Sequence, residues 1–510
     1  ERAEFCTLIY YPREKMEQLT AEGKTSPLWY QQNLANLLEL TKLMSWKFPA
    51  SKMRNYIPKR YESVIVELLS TRPEHDEAQL SYYRQLIETI VEIGGGPDYI
   101  EAFSTLVKRL SVERIHIVGD FYDRGDRPDG ILDLLMEHPS VDIQWGNHDV
   151  LWMGAAAGNE ACIANVVRNN VRYNNIRILE SGYGVSLRGL QLFAEKYYEG
   201  TPAKAMVKAI NVMMFKAEGE LIRRHPEFEM QDRLLLDKVN PEKGTVTIDG
   251  TEYAMNTMEF PTVDWSDPYR MTPEEREVMD DLKRSFCESP QLHRHIEFLY
   301  AVGGVYLKMN DNLLFHGCVP LTEDGQMAEV NFFGQFMRGK SYFEFCEKAA
   351  RLAFNTGEAR YVDFMFYLWG GPKSPMCGRV VKTFERSYLD DKSSWKEPQD
   401  PYYLYLDSEA TSRMILREFG LKSDLSHIIN GHTPVHVSDG EIPIKAGGKL
   451  IVIDGGFSRA YHKTTGIAGY TLIYNSHGMR IKSHMPFESV ERVLSENIDI
   501  ESRANQFEIE

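Results

Sequence analysis

The chain has 510 residues, 43% of them hydrophobic and 26% charged, a globular balance that excludes a disordered or fibrous protein. Its formal net charge of -16 excludes a polyanionic partner such as DNA or RNA, because nucleic-acid binding draws on a basic surface that releases counterions. Six scattered cysteines without a C-x-x-C pair argue against a zinc cluster or disulfide framework and for a reducing cytoplasmic setting, and no run of eighteen apolar residues is present to span a membrane.

From residue 30 to 93 the apolar positions recur at helical spacing, as in Leu34, Leu37, Leu38 and Ile87, Ile90, Val91, which predicts a helical N-terminal layer ended by Gly94-Gly95-Gly96-Pro97. The pattern then changes. Ile115-His116-Ile117-Val118 reads as a strand, Ile131 to Met136 as a helix and Val141 to Trp145 as a second strand, an order that predicts parallel neighbours with their loops at one sheet edge. Residues 190 to 300 read as a helix-rich insertion, with a hairpin turning at Asp249-Gly250 and a capping box at Thr272-Pro273-Glu274-Glu275. Strands return at Asn312 to Phe315, His427 to Ile429, Leu450 to Ile453 and Tyr470 to Tyr474.

Chemistry gathers at the ends of these strands. Gly119-Asp120-Phe121-Tyr122-Asp123-Arg124-Gly125 and Gly146-Asn147-His148-Asp149 follow the first pair, while His316-Gly317 and Asn430-Gly431-His432 follow two later strands. Asp120 is the natural bridge between two divalent cations, since one carboxylate supplies two oxygens, and Asn147, His316 and His432 would complete the shell of one metal. Mixed oxygen and nitrogen ligation without thiolate favours Mn, Fe or Zn over Ca.

Arg124 is placed to bind phosphoryl oxygens, and His148 to protonate a leaving alkoxide with Asp123 holding its other ring nitrogen. Lys373 and Arg379, on and after the loop Trp369 to Pro375, and Arg459 and Lys463, around Asp454-Gly455-Gly456-Phe457-Ser458, are candidate phosphate contacts, with solvated surface charge as the alternative. His436 reads as a surface residue, and His427 as facing away from the site.

These residues resemble the calcineurin-like metallophosphoesterase superfamily, whose pattern is D-x-H, G-D-x-x-D-R-G, G-N-H-(D/E), H and G-H. The longer context, Leu8 to Arg13, Leu368-Trp369 with Gly371-Pro372, Ile453 to Ser458 and Thr464 to Tyr470, is similar to the bacterial class III fructose-1,6-bisphosphatases over nearly the whole chain. The resemblance implies an α/β metallophosphoesterase β-sandwich flanked by helices, with manganese at Asp120, Asn147, His316 and His432. It implies His148 as the acid, Arg124 as a phosphate ligand, and a small phosphorylated sugar as substrate, hydrolysed at its 1-phosphate in cytoplasmic gluconeogenesis; a homo-oligomer is left open.

The regions expected are a helical N-terminal part at 1–110, a first core part at 111–190, the insertion at 191–300, a second core part at 301–490 and a tail at 491–510. The superfamily's D-x-H is absent from the 510 residues, and since the first residue is Glu1, that strand is expected upstream. Alternatives on the same core are a serine/threonine protein phosphatase, a dinucleoside polyphosphate hydrolase or a degenerate metal-binding scaffold.

Overall fold

The computed structural model describes residues 2–71, 76–454, 456–498 and 507–509 of a mixed α/β chain. It divides into two compact units: Glu1–Ile115 with Leu134–Asp142 and His484–Ala504, and His116–Asp133 with Ile143–Ser483 and Asn505–Glu510. Among the described residues no helix is long and apolar enough to cross a membrane.

The first unit is helical. Ser26 caps the helix Pro27–Ser45 by accepting from the Trp29 amide, and Asp76 caps Glu77–Glu92 through Ala78, each satisfying a donor that a helix start leaves free. Leu34, Leu37, Leu38, Ile65, Ile87 and Ile90 form its core, as the periodicity predicts. The expected end at Gly94 to Pro97 is instead a turn. Gly94 takes φ 79°, and Pro97 sits in the first turn of a further helix, Gly96–Ser111, which buries Ile100, Phe103, Leu106 and Leu110. Near the end of the chain, Val490–Glu496 forms a helix of this unit, and the Leu494 carbonyl accepts from Lys15 Nζ at 3.0 Å.

The second unit carries most of the strand residues, with Ile115, Val141 and Asp142 of the first two strands falling in the first. Strands β1 (Ile115–Ile117) and β2 (Val141–Gln144) are sheet neighbours, and β2 pairs in parallel with β6 (Gly303–Gly304). Between them in sequence, β3 (Val239–Asn240), β4 (Thr245–Ile248) and β5 (Thr251–Ala254) form an antiparallel sheet. Asp249 and Gly250, with φ 49° and 80°, make the turn in which both central residues are left-handed. Residues 191–300 otherwise hold mainly helices and turns, and the expected capping box forms, Thr272 Oγ1 accepting from the Glu275 amide while Glu275 Oε2 accepts from the Thr272 amide.

A five-stranded sheet follows: β7 (Tyr306–Met309) and β8 (Asn312–Phe315), then, after the small hairpin β9 (Val330–Phe332) and β10 (Gln335–Met337), β11 (Ile428–Asn430), β12 (Ile444–Lys445) and β13 (Leu450–Val452). Its order is β12-β13-β11-β8-β7, and β8, β11 and β13 run parallel, with Ile428 opposite both Leu313 and Leu450. Their carboxyl ends therefore share one edge, where ligands of open α/β sheets bind. His316, His432 and Asp454 follow those three ends.

Candidate active site

The loops after β1 and β2 meet backbone to backbone. A Cβ at Gly119 would lie 2.4 Å from the Gly146 nitrogen, and one at Gly146 would lie 2.1 Å from Asp120 Oδ1, so only glycine allows the approach. Asp149, fully buried, fastens the junction by accepting from the amides of Asp120 (2.8 Å), Phe121 (2.8 Å) and Gly146 (2.9 Å). Burial and the nearby Asp120 charge raise the Asp149 carboxyl, against backbone donors that favour its anion. Asp120, Arg124 and His432 all hold left-handed backbone, at φ 66°, 58° and 66°, a strain concentrated at the loops that carry ligand atoms.

Asp120 Oδ1 accepts from the His148 amide at 3.0 Å, which leaves Oδ2 facing His316 Nε2 at 3.2 Å. The other ring nitrogen of His316, Nδ1, is committed to the Val118 carbonyl, so Nε2 is the nitrogen left to face the site. His432 Nδ1 lies 3.2 Å from that same Nε2. Two imidazole nitrogens and a carboxylate converging in this way need a cation, a proton or a metal, between them.

The electrostatics agree. Burial would lower His316, but the Asp120 carboxylate outweighs it and pushes the imidazole up to about 9. His432, buried beside His316 and Arg379, is held well below the usual histidine range. Asp120, despite its burial, is kept far below the usual carboxylate range by His316, then His148 and His432.

Asn147 opens the helix Asn147–Ala156; its amide nitrogen reaches the Trp369 carbonyl at 3.4 Å, and its Oδ1 is buried without a partner. Asp123 Oδ1 is likewise buried without a hydrogen bond, 3.4 Å from His148 Nε2 and 3.6 Å from Arg124 Nε. Asp120 is shared by two ligand groups, with His316 and His432 on one side and with Asp123 and His148 on the other, each group's ligand atoms lying within 4.8 Å of one another.

Of the candidate phosphate contacts, Arg124 is flanked by the Tyr461 and Tyr173 rings, with Cζ 4.8 and 5.0 Å from their centroids. Arg379 donates to Thr433 Oγ1 at 2.9 Å, next to His432. The loop before it packs on the turn after β8, since a Cβ at Gly317 would lie 2.7 Å from the Pro375 and Met376 carbonyls. Lys373 is half-buried, and its carbonyl accepts from Tyr342. Arg459 and Lys463 are exposed on the segment 456–465, whose Tyr461 reaches Asp123 Oδ2 at 2.5 Å. His427 binds the Gly448 carbonyl at 2.6 Å. His436, expected on the surface, is half-buried with Nδ1 3.2 Å from the Thr464 carbonyl.

Two residues with evident parts were not singled out by sequence reasoning. Asp149 carried a signal, a carboxylate at the third position of a helix. Tyr461 carried none, being 338 residues from its partner.

Buried Asp, Asn and His ligand atoms gathered at strand ends define a candidate metal centre on an α/β scaffold. The whole chain, residues 1–510, matches the family described as Firmicute fructose-1,6-bisphosphatase. Curated relatives named fructose-1,6-bisphosphatase class 3 are 46% identical in Clostridium acetobutylicum, over 100% of this chain and 80% of that protein, and 46% identical in Clostridium novyi, over 98% and 79%. A third, from Clostridioides difficile, is 44% identical over 98% and 79%. The chain belongs to the Firmicute fructose-1,6-bisphosphatase family, a family of phosphoric monoester hydrolases. No solved structure matches it.

Proposed function

We propose that this chain carries out its family's reaction, the hydrolysis of fructose 1,6-bisphosphate to fructose 6-phosphate and phosphate, at the centre built around Asp120. The observation that carries the reading is the convergence of Asp120 Oδ2, His316 Nε2 and His432 Nδ1 after the ends of β1, β8 and β11.

The donor set fits a divalent metal. Asn147 Oδ1 and Asp123 Oδ1 are buried acceptors without a hydrogen bond, and in their neutral forms two imidazole nitrogens that both carry lone pairs cannot satisfy each other. Asp120, Asn147, His316 and His432 would hold it, and manganese suits their mixed oxygen and nitrogen character. A divalent cation supplies a hydroxide at neutral pH and neutralises charge on the phosphoryl oxygens.

The chain's own groups do the rest. Arg124 binds non-bridging phosphoryl oxygens through its planar fork. His148 delivers a proton to the leaving sugar oxygen from Nδ1, the ring nitrogen that Asp123 does not face, with Asp123 Oδ1, 3.4 Å from Nε2, orienting the imidazole. Arg379, held by Thr433 next to His432, is the candidate for the second phosphate, with Lys373, Arg459 and Lys463 as further candidates. We read residues 111–190 and 301–490 as the two parts of a metallophosphoesterase sandwich interrupted by the insertion at 191–300, serving gluconeogenesis in the cytoplasm.

The test is phosphate release from fructose 1,6-bisphosphate, with a phosphopeptide in parallel, in added manganese. The sugar bisphosphate is expected to be turned over and the peptide not; the reverse order would move the chain to a protein phosphatase role.

A further inference from the structure

We propose that Tyr461 is a positioning residue for the hydrolysis, acting on the proton-donating pair through its hydroxyl and on the phosphate-binding arginine through its ring. This rests on the roles proposed above for Asp123, His148 and Arg124.

Three observations carry it. First, the Tyr461 hydroxyl donates to Asp123 Oδ2 at 2.5 Å, while Asp123 Oδ1 is buried, has no hydrogen bond and faces His148 Nε2 at 3.4 Å. Engaging one carboxylate oxygen fixes the rotation of the group, so the remaining oxygen is aimed at the imidazole.

Second, the Tyr461 ring stands 4.8 Å from Arg124 Cζ, with the Tyr173 ring at 5.0 Å. A guanidinium held between two rings keeps its planar fork oriented before substrate arrives, so little side-chain entropy is lost when a phosphoryl group binds.

Third, the backbone at Tyr461 is secured without the side chain. The Tyr461 amide donates to the Ser458 carbonyl at 2.9 Å, and the Tyr461 carbonyl accepts from Thr464 Oγ1 at 2.8 Å and Thr465 Oγ1 at 3.1 Å. Gly456, at φ 70°, leaves room for the fold-back, since a Cβ there would lie 2.5 Å from Tyr461 Cβ. The side chain is thus spare for the site.

The hydroxyl and the ring are separable. Y461F, Y461L and, as a control on the underlying reading, D120A are compared in the full chain with manganese, measuring kcat, KM for fructose 1,6-bisphosphate and melting temperature. Y461F is expected to lose about tenfold or more in kcat, the usual worth of a hydrogen bond to a charged group, with KM within about twofold of the parent. Y461L is expected to show the same loss of kcat and a KM raised about two- to fivefold, the scale of a cation–π contact. An unchanged kcat in Y461F while D120A is inactive overturns the inference alone. Activity in D120A overturns the reading beneath it. Equal KM increases in both Tyr461 variants with a lowered melting temperature overturn the inference in favour of plain packing.

Discussion

Two buried polar clusters in the second unit have opposite hydrogen-bond accounts. Lys216 and Glu275 are fully buried, and Lys216 Nζ donates to Glu275 Oε2 at 2.6 Å and to the Thr262 carbonyl at 2.7 Å. The carboxylate is completed by Thr262 Oγ1 at 2.7 Å on one oxygen and the Thr272 amide at 2.8 Å on the other. At the strand ends, by contrast, Asn147 Oδ1, Asp123 Oδ1 and His432 Nε2 are buried without a hydrogen bond. An unmet buried polar atom costs about 1–3 kcal/mol, so a fold retains several together only where a ligand will use them. The first cluster is built as scaffold, and the second is the candidate site.

The sharpest way to break that contrast is Asp120→Ala. It removes the carboxylate that both ligand groups share, so phosphate release from fructose 1,6-bisphosphate is expected to be abolished, and manganese binding by titration calorimetry to weaken, with the melting temperature held or raised. Release at the parent rate would show that the unmet atoms do not serve hydrolysis. Next in size is His148→Ala, for which turnover is expected to fall by roughly two to four decades, the range of general acid catalysis. A loss under about tenfold would take His148 out of proton transfer.

The scaffold cluster should respond in the other currency. Lys216→Met leaves the Glu275 carboxylate buried and unpaired, and a loss of about 3–5 kcal/mol in unfolding free energy is expected from denaturant titration. Replacing both partners with apolar residues of similar size should recover most of that loss. Turnover per folded molecule should stay at the parent value in both; a selective fall in kcat would place the pair in the catalytic account after all.

How much of this was readable beforehand follows from the range of the interactions. Asp120, Asn147, His316 and His432 could be picked out as candidates because each follows a strand, and for His316 and His432 the parallel strands β8 and β11 deliver their ends to one edge. The Asp249-Gly250 turn and the Thr272 capping box were legible because both are local. Gly94 to Pro97 misled, since a glycine turn and a first-turn proline mark a helix start as well as a stop. The Lys216–Glu275 pair, 59 residues apart, and Tyr461 leave no periodic trace, because side-chain partners across a fold obey no spacing rule. Asp149 lay inside a recognised motif, but its task falls on backbone amides up to 29 residues upstream.

A third cluster offers the gentlest test, because it is satisfied like the first yet contains a histidine. His225 lies between Glu227 Oε1 at 2.9 Å from Nδ1 and Asp363 Oδ2 at 3.0 Å from Nε2, with its ring stacked on Phe228 at 4.6 Å. Asp363 is in turn bound by Arg224 at 3.1 Å and, through its other oxygen, by Asn159 at 3.0 Å. Burial would lower the imidazole, but the hydrogen bonds to Asp363 and Glu227 prevail and hold it above its ordinary value. A histidine raised in the folded state binds its proton more tightly there than in the unfolded chain. Its stabilisation is therefore complete below the unfolded value of about 6.5 and is lost as pH rises through the higher folded value. His225→Asn removes the titration, so the gap in urea midpoint between parent and variant should be widest near pH 5.5 and narrow steadily toward pH 9. A gap that stays constant would mean that His225 is held neutral and the two carboxylates do not share its proton, and one that widens with pH would reverse the sign of the coupling.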